Sequence, residues 1–273
     1  MSQLTPQQTF ELAVRHHQAG RLTEAEQLYR QVLASQAGHA DAWHRLGGVL
    51  AGLGRRPEAV DAIRRALALQ PHWPEAHCNL GNVLRDAGQL DESLAACRRA
   101  LTLRPNYPIA YNNLGNALKD KGQLADAIAA YRQALALNPT YAKAYHNLGI
   151  VLLEHGQADA AIAAYRQAIA LNPGLAEAHN HLANVLKSKG LLDEALAEYR
   201  HAIALKPAFP EAHNNLGNIL KTQGHLAEAI AAYRQVIAPQ PSYRRNPYQS
   251  WQRAVRPRPL GRGHRRLSSG HRH

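Results

Sequence analysis

The sequence predicts an all-α solenoid of seven helix-turn-helix repeats, each 34 residues long. Three observations carry this. A five-residue motif recurs at one interval: LGNVL at 80–84, LGNAL at 114–118, LGIVL at 148–152, LANVL at 182–186 and LGNIL at 216–220, with LGGVL at 46–50 and a worn copy, LAVRH, at 12–16. The 45% of hydrophobic residues are mostly Ala and Leu, and Phe occurs only twice, a bias towards helix. Glycine punctuates every unit at one place, and proline punctuates six of the seven at another.

The units are 6–39, 40–73, 74–107, 108–141, 142–175, 176–209 and 210–243. Residues 1–5 form a leader and 244–273 a tail. In unit 108–141 the first helix is expected from Pro108 to Asp120, because proline at a first turn lacks only an N–H that has no partner there. Gly122 ends it, as do Gly20, Gly54, Gly88, Gly156, Gly190 and Gly224 elsewhere. The second helix is expected from Leu124 to Leu137. Acids in its first turn suit the helix dipole, and Pro139 stops it.

Apolar columns give the packing. Leu12, Leu46, Leu80, Leu114, Leu148, Leu182 and Leu216 fill one column. Ala13, Gly47, Gly81, Gly115, Gly149, Ala183 and Gly217 fill the next, which is small throughout. Tyr29, Tyr131, Tyr165, Tyr199 and Tyr233 fill a large column in which Ile63 and Cys97 replace tyrosine. Large residues facing small ones let paired helices approach closely.

The aromatic–Leu–Gly opening (Tyr111, Leu114, Gly115) followed by Ala127, Tyr131 and Pro139 resembles the tetratricopeptide repeat (TPR), and the likeness covers 238 of 273 residues. The resemblance implies a right-handed superhelix with a concave groove lined by the first helices. It also implies a non-catalytic protein-binding scaffold. The asparagines with LGN-x-L and A-Y-R-Q-A-L motifs are most similar to the N-terminal superhelix of O-linked N-acetylglucosamine transferases and bacterial relatives. There the repeats present protein substrates to a glycosyltransferase domain, which is absent from this chain. A substrate arm lacking its enzyme is therefore the alternative reading. The lysine clamp of chaperone-binding TPRs is not expected, because its leading place holds His44, Cys78, Asn112, His146 and Asn180.

At about 100° per residue, the arc opposite the core stripe carries polar residues. In successive repeats these are Asn79, Asn82 and Arg85; Asn112, Asn113, Asn116 and Lys119; Asn147; Asn180, Asn184 and Lys187; and Asn214, Asn215, Asn218 and Lys221. Asparagine inside a helix costs roughly half a kcal/mol relative to Ala. A primary amide both donates and accepts, so a ladder of amides suits the backbone of an extended peptide. The interleaved Lys and Arg would favour acidic segments. The competing reading is that these side chains solvate the inner face or bond neighbouring repeats. Their stacking in columns on one face favours the groove.

Chemistry is otherwise sparse. No HExxH, P-loop or GxGxxG occurs, no cofactor is expected, and the chain is not expected to be an enzyme. His77, His179 and His213 take core places held elsewhere by Trp43, Tyr111 and Tyr145, so packing is expected of them rather than metal binding. Cys78 and Cys97 are too few for a disulfide framework or a four-cysteine zinc site. The N-terminus lacks signal-peptide character and no apolar run is long enough to span a membrane, so a cytoplasmic protein is expected.

The net charge of +12 is concentrated at one end. Residues 244–273 hold nine arginines and no lysine or acid, so 12 − 9 leaves +3 for residues 1–243. Nucleic acid or another acidic surface is therefore a partner for the tail alone. Two origins fit residues 239–273: a native basic arm, or out-of-frame translation of GC-rich coding sequence, which translation of the other frames decides. Deleting residues 244–273 is expected to remove the salt-dependent binding of single-stranded DNA. The slope of log K against log salt should fall from about −6 to near zero in a filter-binding titration. Retention of the slope would put the anion site on the repeats.

Overall fold

The structure, a computed structural model, describes residues 4–237. The basic tail and the end of the last repeat lie outside them. Among the described residues there are fourteen helices and no strand. The first helices of the repeats are α1 (Pro6–Gln18), α3 (Ala40–Gly52), α5 (Pro74–Asp86), α7 (Pro108–Asp120), α9 (Ala142–Glu154), α11 (Ala176–Ser188) and α13 (Pro210–Thr222). The second helices are α2 (Leu22–Ser35), α4 (Arg56–Leu69), α6 (Leu90–Leu103), α8 (Leu124–Leu137), α10 (Ala158–Leu171), α12 (Leu192–Leu205) and α14 (Leu226–Ile237). The repeats form two bodies. One ends at Pro207 and holds α1 to α12; the other begins at Ala208 and holds α13 and α14.

The turn inside each repeat is built the same way. Gly122 takes φ +79, open to glycine but strained for a residue with a side chain. Its N–H donates to Lys119 O, and the Gln123 N–H donates back to Leu118 O at 2.9 Å, satisfying two carbonyls at the helix end. The equivalent back-donation recurs in every repeat, from Arg21 to His16 through His225 to Leu220.

The small column is dictated by what lies opposite. A methyl group on Gly115 would sit 2.8 Å from the Tyr131 ring, on Gly149 2.6 Å from Tyr165, and on Gly217 2.7 Å from Tyr233. At Gly47 and Gly81 it would meet Ile63 and Cys97, the residues that replace tyrosine, at 2.4 and 2.5 Å. Tyr131, Tyr165 and Tyr233 thus pass under a glycine of the preceding helix, Tyr29 and Tyr199 take the same place in repeats whose small residue is Ala13 or Ala183, and Tyr29, Tyr131, Tyr165 and Tyr199 are buried. Ser93 stands in an alanine column and stays buried because its hydroxyl donates to Gly81 O at 2.6 Å.

The histidines in the aromatic column have a specific reason. The Trp43 indole N–H donates to Ala37 O, six residues earlier, at 2.9 Å. His77 Nε2 and His179 Nε2 donate to the corresponding carbonyls of Pro71 and Pro173, at 2.9 and 3.1 Å. Imidazole therefore substitutes for indole as a ring that carries an N–H to the inter-repeat loop. On the outer side, Arg30–Glu58, Arg64–Glu92 and Arg166–Glu194 join successive second helices within the first body.

This packing makes two glycines of the same motif respond oppositely to alanine. Gly115→Ala gains about 1 kcal/mol of helix propensity but loses about 1–3 kcal/mol to overpacking against Tyr131, so the urea midpoint should fall. Gly48→Ala meets only His17 Cε1 at 3.6 Å, an ordinary contact, and the midpoint should rise by the equivalent of about 0.5–1 kcal/mol. A higher midpoint for both variants would refute the packing account.

Candidate functional site

The asparagines form two columns on the first helices, and the structure separates their roles. Asn79, Asn113 and Asn147 turn their Nδ2 groups towards the preceding repeat. Asn79 Nδ2 donates to His44 Nε2 at 2.8 Å, and Asn113 Nδ2 to Cys78 Sγ at 3.3 Å. Asn147 Nδ2 donates to Asn112 Oδ1 at 3.0 Å and to Asn116 Oδ1 at 3.2 Å. The other column turns its oxygens inward. Asn116 Oδ1 accepts from the Tyr131 hydroxyl at 2.7 Å, and Asn184 Oδ1 accepts from the Tyr199 hydroxyl. Asn82 is opposite Cys97, which has no hydroxyl to offer, and makes no hydrogen bond within the described residues.

The face is therefore polarised. Asn113 and Asn147 have committed their nitrogens and leave Oδ1 to accept. Asn116 has committed its oxygen and leaves Nδ2 to donate. The sequence reading did not identify the tyrosines as the groups that orient the second column. The signal was present: tyrosine follows asparagine by fifteen residues in repeats 4, 6 and 7.

Asn112 and Asn180 require a correction. The sequence reading puts them on the open arc, but only 2% and 1% of their surface is exposed. They share the repeat position of Cys78, which is fully buried. One residue of helix turns them about 100° away from Asn113 and His181, which for Asn112 leads into the seam with repeat 5. There Asn147 covers Asn112. These two amides belong to the packing and do not face a ligand.

The internal bonds also bear on the cost of asparagine in a helix. Each asparagine sacrifices roughly 0.5 kcal/mol of propensity, and each hydrogen bond returns about 0.5–1.5 kcal/mol. For Asn116 and Asn147 the intramolecular bonds alone offset the cost. For Asn82 nothing within the described residues does.

The basic column is partly neutralised. Arg85 pairs with Asp86 at 2.6 Å and Asp120 at 3.6 Å, and Lys119 pairs with Asp120 at 3.1 Å. The expected pull on acidic segments is correspondingly weakened at repeats 3 and 4. Lys187 lies half-buried on α11. In the second body, taken by itself, Asn214, Asn218 and Lys221 are exposed, Asn215 is half-buried, and the Tyr233 hydroxyl donates to Asn218 Oδ1 at 2.8 Å.

Two further features mark the face of the first body. Gly48 takes the place of asparagine in repeat 2 and helps line an open depression of about 350 Å³ with His17, Asp41, His44, Arg45 and Trp73. At repeats 5 and 6, His146 Nε2 and His181 Nδ1 share a hydrogen bond of 2.9 Å. Their ring centroids lie 5.0 Å apart, so the rings meet edge to edge along that bond rather than face to face. Burial, then the neighbouring His181, lowers the His146 pKa to about 4, so it is neutral at pH 7.

Burial pushes the Cys78 thiol up to about 11 and Cys97 up to about 12, so both remain thiols near neutral pH. Among the described residues no group of three or more His, Cys, Asp or Glu is placed to hold a metal. His179 is buried with Nδ1 against Glu198 Oε2 at 2.6 Å. No helix of the described residues is long and apolar enough to cross a membrane.

Comparison with known proteins agrees with this architecture. A TPR-repeat family model matches residues 81–122, 115–156, 151–190 and 183–224. Two tetratricopeptide-repeat models match residues 16–80 and 210–241. Among curated proteins, none matches the chain. Of solved structures, MamA is 28% identical, covering 64% of this chain and 96% of its own, with a TM-score of 0.54. PilW, described as a type IV pilus biogenesis factor, is 22% identical over 80% of this chain and 100% of its own, with a TM-score of 0.70. YrrB, described as a TPR protein with an unusual peptide-binding site, is 24% identical over 67% of this chain and 95% of its own, with a TM-score of 0.53. The family models and the repeated helix pair lead to one conclusion: the chain belongs to the tetratricopeptide-repeat family.

Proposed function

We propose that this chain is a non-catalytic scaffold whose asparagine face holds an extended protein segment by its main chain. The carrying observation is the polarity of the two amide columns. Oδ1 acceptors at Asn113 and Asn147 stand beside the Nδ2 donor of Asn116, and the unheld amide of Asn82 can turn either end to a ligand. A peptide backbone presents N–H and C=O groups in alternation, so such a face matches it with little regard to side chains. Asn79, Asn184 and Lys187 would extend the same contact on either side within the first body; in the second body, taken by itself, Asn214, Asn215, Asn218 and Lys221 along α13 offer groups of the same kind.

The substrate-arm reading uses the same asparagines, and no observation on the repeats favours it over a plain scaffold. Contact with polyanions is a separate proposal for residues 244–273, resting on their nine arginines. Two free, buried cysteines suit a reducing cytoplasm.

The test is selection of a random 12-residue peptide library by the full chain, followed by titration of the selected peptides. In the triple variant Asn113→Ala, Asn116→Ala and Asn147→Ala, affinity is expected to fall at least tenfold. Its stability should change by no more than about 1–2 kcal/mol, since lost hydrogen bonds and gained propensity largely cancel. Tyr131→Phe, which removes the shorter of the two hydrogen bonds that hold Asn116 Oδ1, is expected to weaken binding about threefold. Unchanged binding in the triple variant, with stability lowered by several kcal/mol, would make the asparagines structural.

A further inference from the structure

Repeat 5 departs from its neighbours at two places on the proposed binding face. Where repeats 4 and 6 carry Asn116 and Asn184, it carries Ile150; where they carry Lys119 and Lys187, it carries Leu153. The two aliphatic residues are three apart on α9 and share one face of the helix. Leu153 keeps 38% of its surface exposed and Ile150 is half-buried.

The same change strands a hydroxyl. Tyr165 is packed under Gly149 with only 1% of its surface exposed, as its counterparts Tyr131 and Tyr199 are packed in their repeats. Theirs donate to Asn116 and Asn184, fifteen residues earlier; fifteen residues before Tyr165 stands Ile150, which accepts nothing. The Tyr165 hydroxyl has no hydrogen-bond partner among the described residues. Its ring lies 5.9 Å from the His146 ring and 5.8 Å from that of His181, on the same face. Unlike the Tyr29 hydroxyl, which is fully buried without a partner, the Tyr165 hydroxyl oxygen reaches solvent on this face, where an acceptor on a ligand can replace water.

We infer that repeat 5 is a specificity subsite for one aliphatic side chain of the bound segment, with the Tyr165 hydroxyl donating to a main-chain carbonyl beside it. This rests on the groove reading above and adds to it a sequence preference. Packed helices lie about 8–10 Å apart and an extended chain rises about 3.3 Å per residue, so neighbouring repeats are about three residues of ligand apart. The segment therefore carries Leu, Ile, Val or Met at the subsite. About three residues to either side its carbonyl groups face the amides of repeats 4 and 6, where side-chain identity matters little. Asp, Glu, Lys or Arg at the subsite is disfavoured, because Ile150 and Leu153 offer a charge no partner.

The same 12-residue peptide library tests this with two variants of the full chain. Ile150→Asn with Leu153→Lys gives repeat 5 the residues that repeats 4 and 6 already carry, so the fold tolerates them. The wild type is expected to select peptides with an aliphatic residue at one fixed position, and replacing that residue by Ala should weaken binding about tenfold. The double variant should still bind peptides but lose the positional preference. Tyr165→Phe should weaken selected peptides about threefold with the preference intact. Selection without a positional aliphatic preference, or a preference that survives in the double variant, overturns the subsite alone. If the asparagine triple variant also binds normally, the groove reading fails with it. A wild-type chain that selects nothing above background overturns both.

Discussion

The close passage of a tyrosine ring beneath a helix whose facing residue is never larger than alanine governs the rest of this structure. Gly115, Gly149 and Gly217 lie over Tyr131, Tyr165 and Tyr233 with no room for a Cβ, while repeats 1 and 6 place only the methyl of Ala13 or Ala183 at that position. The gap sets the helix spacing, and the spacing sets how far the ring reaches. The ring is long enough to traverse the pair, so its hydroxyl emerges on the far side, among the asparagines. Where tyrosine is replaced by Ile63 or Cys97 the glycine is still needed, but no hydroxyl arrives. A rule of core packing thus decides which amides on the open face are held and which are not.

This reach gives the open face its chemical sense. An exposed asparagine that turns freely presents either end of its amide. Here tyrosine fixes the oxygen of Asn116, and the preceding repeat fixes the nitrogens of Asn113 and Asn147. Each remaining amide end then has one orientation before any ligand arrives, which lowers the ordering cost of binding. The arrangement is carried by first helices that recur every 34 residues. Repetition at 34 residues therefore generates a periodic set of donors and acceptors with no loop needed to build it.

Much of this was legible in the sequence because a repeat measures itself seven times over. The helix expected from Pro108 to Asp120 and that from Leu124 to Leu137 are the helices of the structure, because Pro108 and Gly122 bound the first and Pro139 follows the second. The face that carries the asparagines was legible for the same reason. The assignment of Asn112 and Asn180 to that face was not. An arc drawn at 100° steps separates core from surface but not surface from the seam between repeats, and that seam exists only once the stagger of successive repeats is known. The pairing of Tyr131 with Asn116 was available as a fifteen-residue spacing. It went unread because tyrosine had already been accounted for as core.

Departures from the pattern say more about binding than the pattern does. A residue that recurs in every repeat is explained by the solenoid itself, as Leu80 or Gly122 is. Asn82 remains where its tyrosine is gone, and Tyr165 remains where its asparagine is gone. Packing accounts for the Tyr165 ring but not for its hydroxyl, which like the Asn82 amide is half of a latch whose other half is absent. An unlatched amide and an unlatched hydroxyl on one face are polar groups for which the fold supplies no partner. Both reach solvent on this face, unlike the sealed and unpartnered Tyr29 hydroxyl, so both are open to a ligand that completes them.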